Sequence, residues 1–321
     1  MAAKTSIHGK RLMLLGNGLL QVDGNIVGPL YGSLGKTFYV DSVTGSAGSS
    51  GLTPDDAVTT ITLAIAKCTE NKGDTVIVLP NHAETITGVG GLTVDKAGIT
   101  IQGLGNYNQR PRLLMDGGTT VTCAVPAADV TIRNIEFAAG HLLVATGIDT
   151  TAPGATYENL AFTDNTTAEN WGSPFKATGA ANTADGLTIR NCTWTPLVAT
   201  VNALEFLEIT DDIRNLVVEG NTIIHEGTAS PLVLQAGTKV MQCARLVGNY
   251  LSHKMTAGDL LIDNGGATNS GIVADNYVGN ADVTGAQGGG AATGMRFFNN
   301  LYTSTATESG ALEPAADTPL S

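Results

Sequence analysis

Apolar residues recur through most of this chain on an eight-residue frame, at positions 0, 2 and 7 of each copy. Eight copies begin at Ile99, Val130, Ala155, Leu187, Leu216, Ala244, Gly271 and Met295, which is 196 residues over seven intervals, a mean period of 28. Position 2 holds Ile101, Ile132, Tyr157, Ile189, Val218, Leu246, Val273 and Phe297. From the second copy onward, position 7 holds Phe137, Phe162, Trp194, Ile223, Leu251, Val278 and Tyr302. Alternation over positions 0 to 2 and a further apolar residue at 7 predict two short strands that face one core. Position 4, between them, is Gly103, Asn134, Asn159, Asn191, Gly220, Gly248, Asp275 or Asn299. These residue types best tolerate a left-handed backbone, so a sharp bend is expected there. A looser return of a dozen or more residues completes one coil. Stacked coils place each strand parallel to its copy at about 4.8 Å, and variable spacing puts insertions in the returns.

The pattern is different before residue 73. Residues 35–72 predict a strand, a Gly/Ser loop and one helix over 54–70, with Thr53 as N-cap, Pro54 at N1 and Asp56 at N3. Ala57, Ile61, Ala64, Ile65 and Cys68 recur at helical spacing and define its buried face. Asn71-Lys72-Gly73 ends the helix, and helical periodicity does not return. Residues 1–36 contain LMLLGNGLLQVDGNIVGPLYG, in which apolar residues alternate with glycines. That segment is expected to form no domain alone and to order against another protein, through Leu12, Leu14, Leu15, Leu19, Leu20, Val22, Ile26, Leu30 and Tyr31. The expected organisation is an arm at 1–36, strand and helix at 37–72, the repeat at 73–303 and a tail at 304–321.

Composition narrows the partners. The 321 residues carry a formal charge of −12 with a pI near 4.7, which disfavours nucleic acid and anionic membrane. A hydrophobic fraction of 42% with 40 glycines excludes a disordered chain and fits a turn-rich β protein. Cys68, Cys123, Cys192 and Cys243 show no CxxC or CxxH pairing and are expected as buried free thiols. The apolar run LMLL at 12–15 is too short for a secretory core or a membrane span, so cytoplasmic synthesis without an export signal is expected.

Over residues 37–303 the repeat resembles the right-handed parallel β-helix, or pectin-lyase-like, family. The segment YVDSVTGSAGSSGLTPDDAVTTITLAIAKC followed by GDTVIVLPNHAETI resembles the opening strand, capping helix and first coil of many phage-borne members. The resemblance implies an all-β, right-handed solenoid plugged at one end by the helix. It specifies function poorly, because the family includes lyases, hydrolases, tailspikes and noncatalytic virion proteins.

Chemistry has to come from residues. The vWiDH and RxPxxR stretches of the family's lyases have no counterpart, and Arg110-Pro111-Arg112 is only a fragment. Outward position 3 reads Gln102, Arg133, Glu158, Arg190, Glu219, Val247, Ala274 and Phe298, so charges alternate over four coils and the ladder is expected to neutralise itself. Glu205, Glu208, Asp211 and Asp212 form the densest carboxylate run. Read as one strand they divide between two faces, and a solvated acidic edge is expected rather than a catalytic or Ca²⁺ site. His225 and His253 share frame position 9 with Asp164, which admits a divalent metal or, as the favoured reading, packing. His8, His82 and His141 have no partner pattern. Gly288-Gly289-Gly290 is expected as a loop, and Trp171 is the one loop aromatic available to a sugar.

The outer face changes character along the chain. Position 1 passes from Thr100, Thr131, Thr156 and Thr188 to Val217, Arg245, Ile272 and Arg296, while position 3 becomes apolar. Val217, Val247, Ile272 and Phe298, with Ala274 between them, are expected to contact another subunit or the 304–321 tail. The reading is a noncatalytic phage virion protein without cofactor or metal: a capsid decoration or cement protein on the outer particle surface, anchored by its arm to the major capsid protein or another structural protein. The resemblance implies a homotrimer. The alternatives are a short tailspike that binds or cleaves surface glycan, and a polysaccharide lyase or hydrolase.

Overall fold

The computed structural model describes residues 35–195, 204–224, 232–235, 239–252, 259–264, 269–281, 287–289, 294–304 and 309–311, with the strand backbones at 4–7, 10–14, 19–22 and 25–29. The core is a right-handed parallel β-helix built from three sheets. The first runs from Thr37–Val40 and Thr75–Val78 through to Gly271–Ala274 and Met295–Phe298, with ten strands all parallel. Its register is that of the frame: Thr100, Thr131, Thr156, Thr188, Val217, Arg245, Ile272 and Arg296 stand in one row. The second sheet runs from Ala83–Ile86 to Leu301–Ser304 and is closed at its far edge by the antiparallel strand Ser309–Ala311.

The returns are not loose. They form a third parallel sheet of eight strands, from Leu92–Thr93 through Cys123–Val125, Val144–Thr150, Trp171–Ala177, Leu207–Ile209, Val233–Gln235 and Asp259–Asn264 to Gln287–Gly289. Ile148, Phe175, Leu207, Val233 and Ile262 stack in one row there, each buried. Gln287–Gly289 thus places two glycines of the expected 288–290 loop in a strand; Gly290 lies outside the described residues.

Frame positions 0, 2 and 7 line the interior as expected, with Phe297 and Tyr302 partly buried against it. The centre is aromatic. Phe137 stacks on Phe162 at 5.4 Å, Tyr157 on Phe175 at 5.4 Å, and Phe162 meets Trp171 and Phe175 edge-on. Seven of the eight bend residues take φ between 53° and 67°; Gly103 does not and stays in its strand. Its glycine has another reason, since a Cβ there would lie 2.0 Å from the Asn134 carbonyl oxygen.

One stack was not anticipated. Asn221, Asn249, Asn276 and Asn300 follow the bend on four successive coils, each about 1% exposed. Each Oδ1 accepts the backbone N–H of the preceding rung, at 3.1, 3.0 and 3.1 Å for Asn221, Asn249 and Asn276 as donors. Each Nδ2 donates to the next Oδ1 at 2.8–2.9 Å and to a strand carbonyl two residues before the bend of the preceding coil. Cys192 closes the ladder at its near end by donating its N–H to Asn221 Oδ1. Earlier coils fill the same place with Ile135, Leu160 and Cys192, so packing hands over to hydrogen bonding midway along the solenoid.

The cap differs from the single helix expected over 54–70. Pro54–Asp56 is a 3-10 turn, and α1 is Ile61–Lys67. Val58 interrupts because it bridges to Val40 of the first strand, exchanging backbone hydrogen bonds with Tyr39 and Asp41. The N-cap is therefore Thr60, whose Oγ1 accepts the Leu63 N–H at 3.2 Å, and not Thr53. Glu84 of the first full coil accepts the Ile61 N–H at 3.0 Å and contacts the buried His82 ring at 3.2 Å, tying cap to solenoid. All five residues of the expected helix face are buried. Ahead of the cap, within the expected arm, Lys4–Ile7, Lys10–Leu14, Leu19–Val22 and Asn25–Pro29 pair as a four-stranded antiparallel sheet.

Burial desolvates the thiolates of Cys68, Cys123 and Cys192 and pushes each thiol up to about 12, with Asp74 adding to the effect at Cys68. Cys243 is exposed, contrary to expectation, because it occupies a left-handed turn just before the inward residue Ala244. A thiol reagent at pH 8 should modify one cysteine in the native protein and four in denaturant; native modification of more than one would mean the core is open. Asn249→Ala deletes both donors and the acceptor of a middle rung and strands the Asn221 amides. It should lower stability by roughly 1–3 kcal/mol, read as a lower urea midpoint at unchanged slope.

Candidate functional site

The outer faces of the three sheets carry the groups available to ligands. On the first sheet, Arg190 pairs with Glu158 at 3.3 Å, as the alternating ladder requires. Glu219 instead pairs with Arg245 of the next coil, at 3.2 Å, and Arg133 makes no ion pair among the described residues. The ladder is thus two separate pairs, because each carboxylate accepts from one neighbouring arginine only. On the third sheet Lys176 pairs with Glu208 at 2.7 Å, and Asp149 accepts from Thr178 at 2.7 Å. On the second, Glu136 accepts from Arg112 at 3.2 Å and from Thr163 at 2.8 Å.

The acidic run at 205–212 is not one strand. Leu207–Ile209 is extended and the chain then turns, so the expected division of four carboxylates between two faces does not hold. Glu205 is 3% exposed and accepts from the buried Ser173 hydroxyl, which corrects the solvated edge expected for it. Glu208 faces outward onto Lys176, Asp211 meets Lys239 at 3.1 Å, and Asp212 accepts the Val240 N–H at 2.8 Å. All four therefore tie one coil to the next.

Hydrogen bonds hold Asp41, Asp56 and Asp211 below the usual carboxylate range. Burial would raise Asp41, but hydrogen bonds from Thr44 and Val43 outweigh it; Ser50 and Ser49 lower Asp56; the Asp212 amide and Lys239 lower Asp211. Asp164 is buried at the end of Ala161–Asp164, while His225 and His253, which share its register, lie outside the described residues. Among the described residues no three of His, Cys, Asp and Glu come together as a metal site. Trp171 is 1% exposed in a strand, its indole N–H donating to the Thr163 carbonyl at 2.8 Å, so it is no sugar platform. A cleft of about 370 Å³ opens beside α1, lined by Thr62, Ile65, Ala66, Gly90, Gly91, Thr93, Asp95 and Lys96.

The last coils present the more unusual surface. Ile272 is 41% and Phe298 52% exposed on the first sheet, with Val217 and Val247 half-buried beside them, whereas Ala274 is buried. A second strip escaped sequence reading. On the second sheet, Tyr250 is 41% and Leu301 48% exposed, with Tyr277 half-buried between them in one row and Ile224 exposed alongside. The two tyrosine rings stack at 5.3 Å, and Tyr277 Oη lies 3.2 Å from Thr303 Oγ1. Its signal lay in the same row one coil earlier, where Thr193 and Thr222 give way to Tyr250, Tyr277 and Leu301 just as position 1 turns apolar.

Of the arm residues, Leu12, Leu14, Leu19, Leu20, Val22 and Ile26 fall in the antiparallel sheet, described by backbone only; Leu15, Leu30 and Tyr31 lie outside the described residues. No helix among the described residues is long and apolar enough to cross a membrane.

Neither a family model nor a curated protein matches the chain. Among solved structures, it is similar to a rhamnogalacturonan lyase, at 13% identity and a TM-score of 0.45, over 83% of this chain and 87% of that one. It is also similar to a GH136 lacto-N-biosidase from Eubacterium ramulus, at 12% identity and a TM-score of 0.40, over 87% of this chain and 67% of that one.

Proposed function

We propose that the chain is a noncatalytic structural β-helix of a phage particle, a capsid decoration protein that assembles with copies of itself through its last coils and attaches through residues 1–34. The observation that carries this reading is the change on the outer surface, from threonines and paired charges on the early coils to Ile272, Phe298, Tyr250 and Leu301 on the last three. Exposed apolar residues grouped on two adjoining sheets mark a protein contact more than a soluble surface. The carboxylates support it, since those on the outer faces already hold coils together. The phage context comes from the resemblance of the opening segment to phage-borne β-helices, and a trimer from the resemblance to virion β-helices, which often associate in threes.

Deleting residues 1–34 tests attachment. The deletion stops before Lys36, whose N–H donates to Asp74 at 2.6 Å where the cap meets the first coil. The truncated chain should keep its number of subunits and its urea midpoint but fail to co-sediment with particles; decoration at the full-length level would place the anchor elsewhere. The competing glycan-active reading has its own test. The purified oligomer, incubated with host capsule and lipopolysaccharide with and without Ca²⁺, should release no oligosaccharide. Release abolished by Glu205→Gln or Asp211→Asn would replace the structural reading with an enzymatic one.

A further inference from the structure

We infer that the two apolar strips are the two halves of one contact between copies: the first-sheet strip of one chain packs on the second-sheet strip of the next, and repetition closes a ring around an axis parallel to the solenoid. This rests on the assembly reading above and adds to it the partner face, the kind of symmetry and a set of residues.

Height along the solenoid is the first argument. One coil supplies Arg245 to the first strip and Tyr250 to the second, the next supplies Ile272 and Tyr277, and the last supplies Arg296 with Phe298 and Leu301. Both strips therefore climb by one strand spacing per residue over the same three coils. Two copies standing side by side, parallel and level, meet rung for rung.

Chemistry is the second. The first strip is apolar with two guanidinium groups, and Arg296 makes no ion pair or hydrogen bond among the described residues. The second is aromatic with hydroxyls and no charge. A guanidinium over a tyrosine ring is attractive, and Tyr and Arg are the residues interfaces enrich. Pairing the first strip with itself about a two-fold axis sets Arg296 against Arg245 of the other copy where the axis is perpendicular to the solenoid, and against Arg296 where it is parallel, so guanidinium groups face each other either way. Pairing the second strip with itself leaves Ile272 and Phe298 uncovered. Only the mixed contact covers both strips without opposing like charges.

Closure follows from where the strips lie. They sit on adjoining sheets either side of the left-handed bend, so they point in different directions and are not back to back. A contact between two such faces at one level turns each copy without raising it, so repetition runs round in a plane and closes where the turn divides a full circle, instead of climbing as a filament.

Two variants test it, each checked for folding by urea midpoint: Ile272→Ser with Phe298→Ser, and Tyr250→Ser with Tyr277→Ser. Masses are read by analytical ultracentrifugation. Each variant alone should be monomeric, and an equimolar mixture should stop at a dimer, since each brings the one intact strip that the other lacks. Arg296→Gln should weaken assembly about five-fold per contact. If the tyrosine variant assembles as the unaltered chain does, the contact is first strip on first strip: the ring falls and the assembly reading stands. An unaltered chain that is monomeric at 0.1 mM removes both. Should the double tyrosine variant not fold, Tyr250→Ser alone, the more exposed position, gives the same discrimination.

Discussion

Every property of this molecule follows from the parallel backbone ladder between coils, which places each residue directly above its counterpart one coil back. Strand spacing leaves no freedom to choose a different neighbour. A side chain is therefore acceptable only if it can stack on what occupies the same position below. Phe137 on Phe162, Tyr250 on Tyr277, Arg190 over Glu158 and Asn221 over Asn249 are four solutions to that one condition, for interior, surface, charge and buried polarity.

The same condition explains what could be read in advance. Positions 0, 2 and 7 repeat because they share one core, and the bend repeats because only Gly, Asn and Asp bear its backbone at low cost, so both were visible without coordinates. Gly103 shows the limit: the residue type was right, but it answers a close approach by Asn134 and not a left-handed φ. The third sheet was hidden since its strands begin at varying distances from the bend and hold residues as different as Cys123, Ile148 and Phe175 in one row. The asparagine stack was hidden for the opposite reason: its row opens with Ile135, Leu160 and Cys192, so the change to asparagine looked like the end of a pattern.

Surface chemistry was less legible than the core because it depends on reach. Register alone assigned Arg190 and Glu219 to each other, yet Glu219 takes Arg245. Glu205 appeared as part of an acidic run, but the chain enters its strand only at Leu207, and the carboxylate turns inward to Ser173. Trp171 was placed in a loop because the return was taken to be one; in a third sheet it packs against Phe162. On the outer surface, charged pairs fasten neighbouring coils, and the last coils expose Ile272, Phe298, Tyr250 and Leu301.

The asparagine ladder has a direction. Between asparagines the donors belong to the earlier coil and the acceptor to the later one, Asn221 giving to Asn249, Asn249 to Asn276 and Asn276 to Asn300, while each Nδ2 also donates back to a strand carbonyl of the coil before. Until the next coil covers it, the open end of this stack leaves its asparagine amides to water, and the covering coil supplies the acceptor that replaces that water. Synthesis runs in the same direction, so each asparagine of the stack finds its asparagine acceptor only in a coil that follows it in sequence.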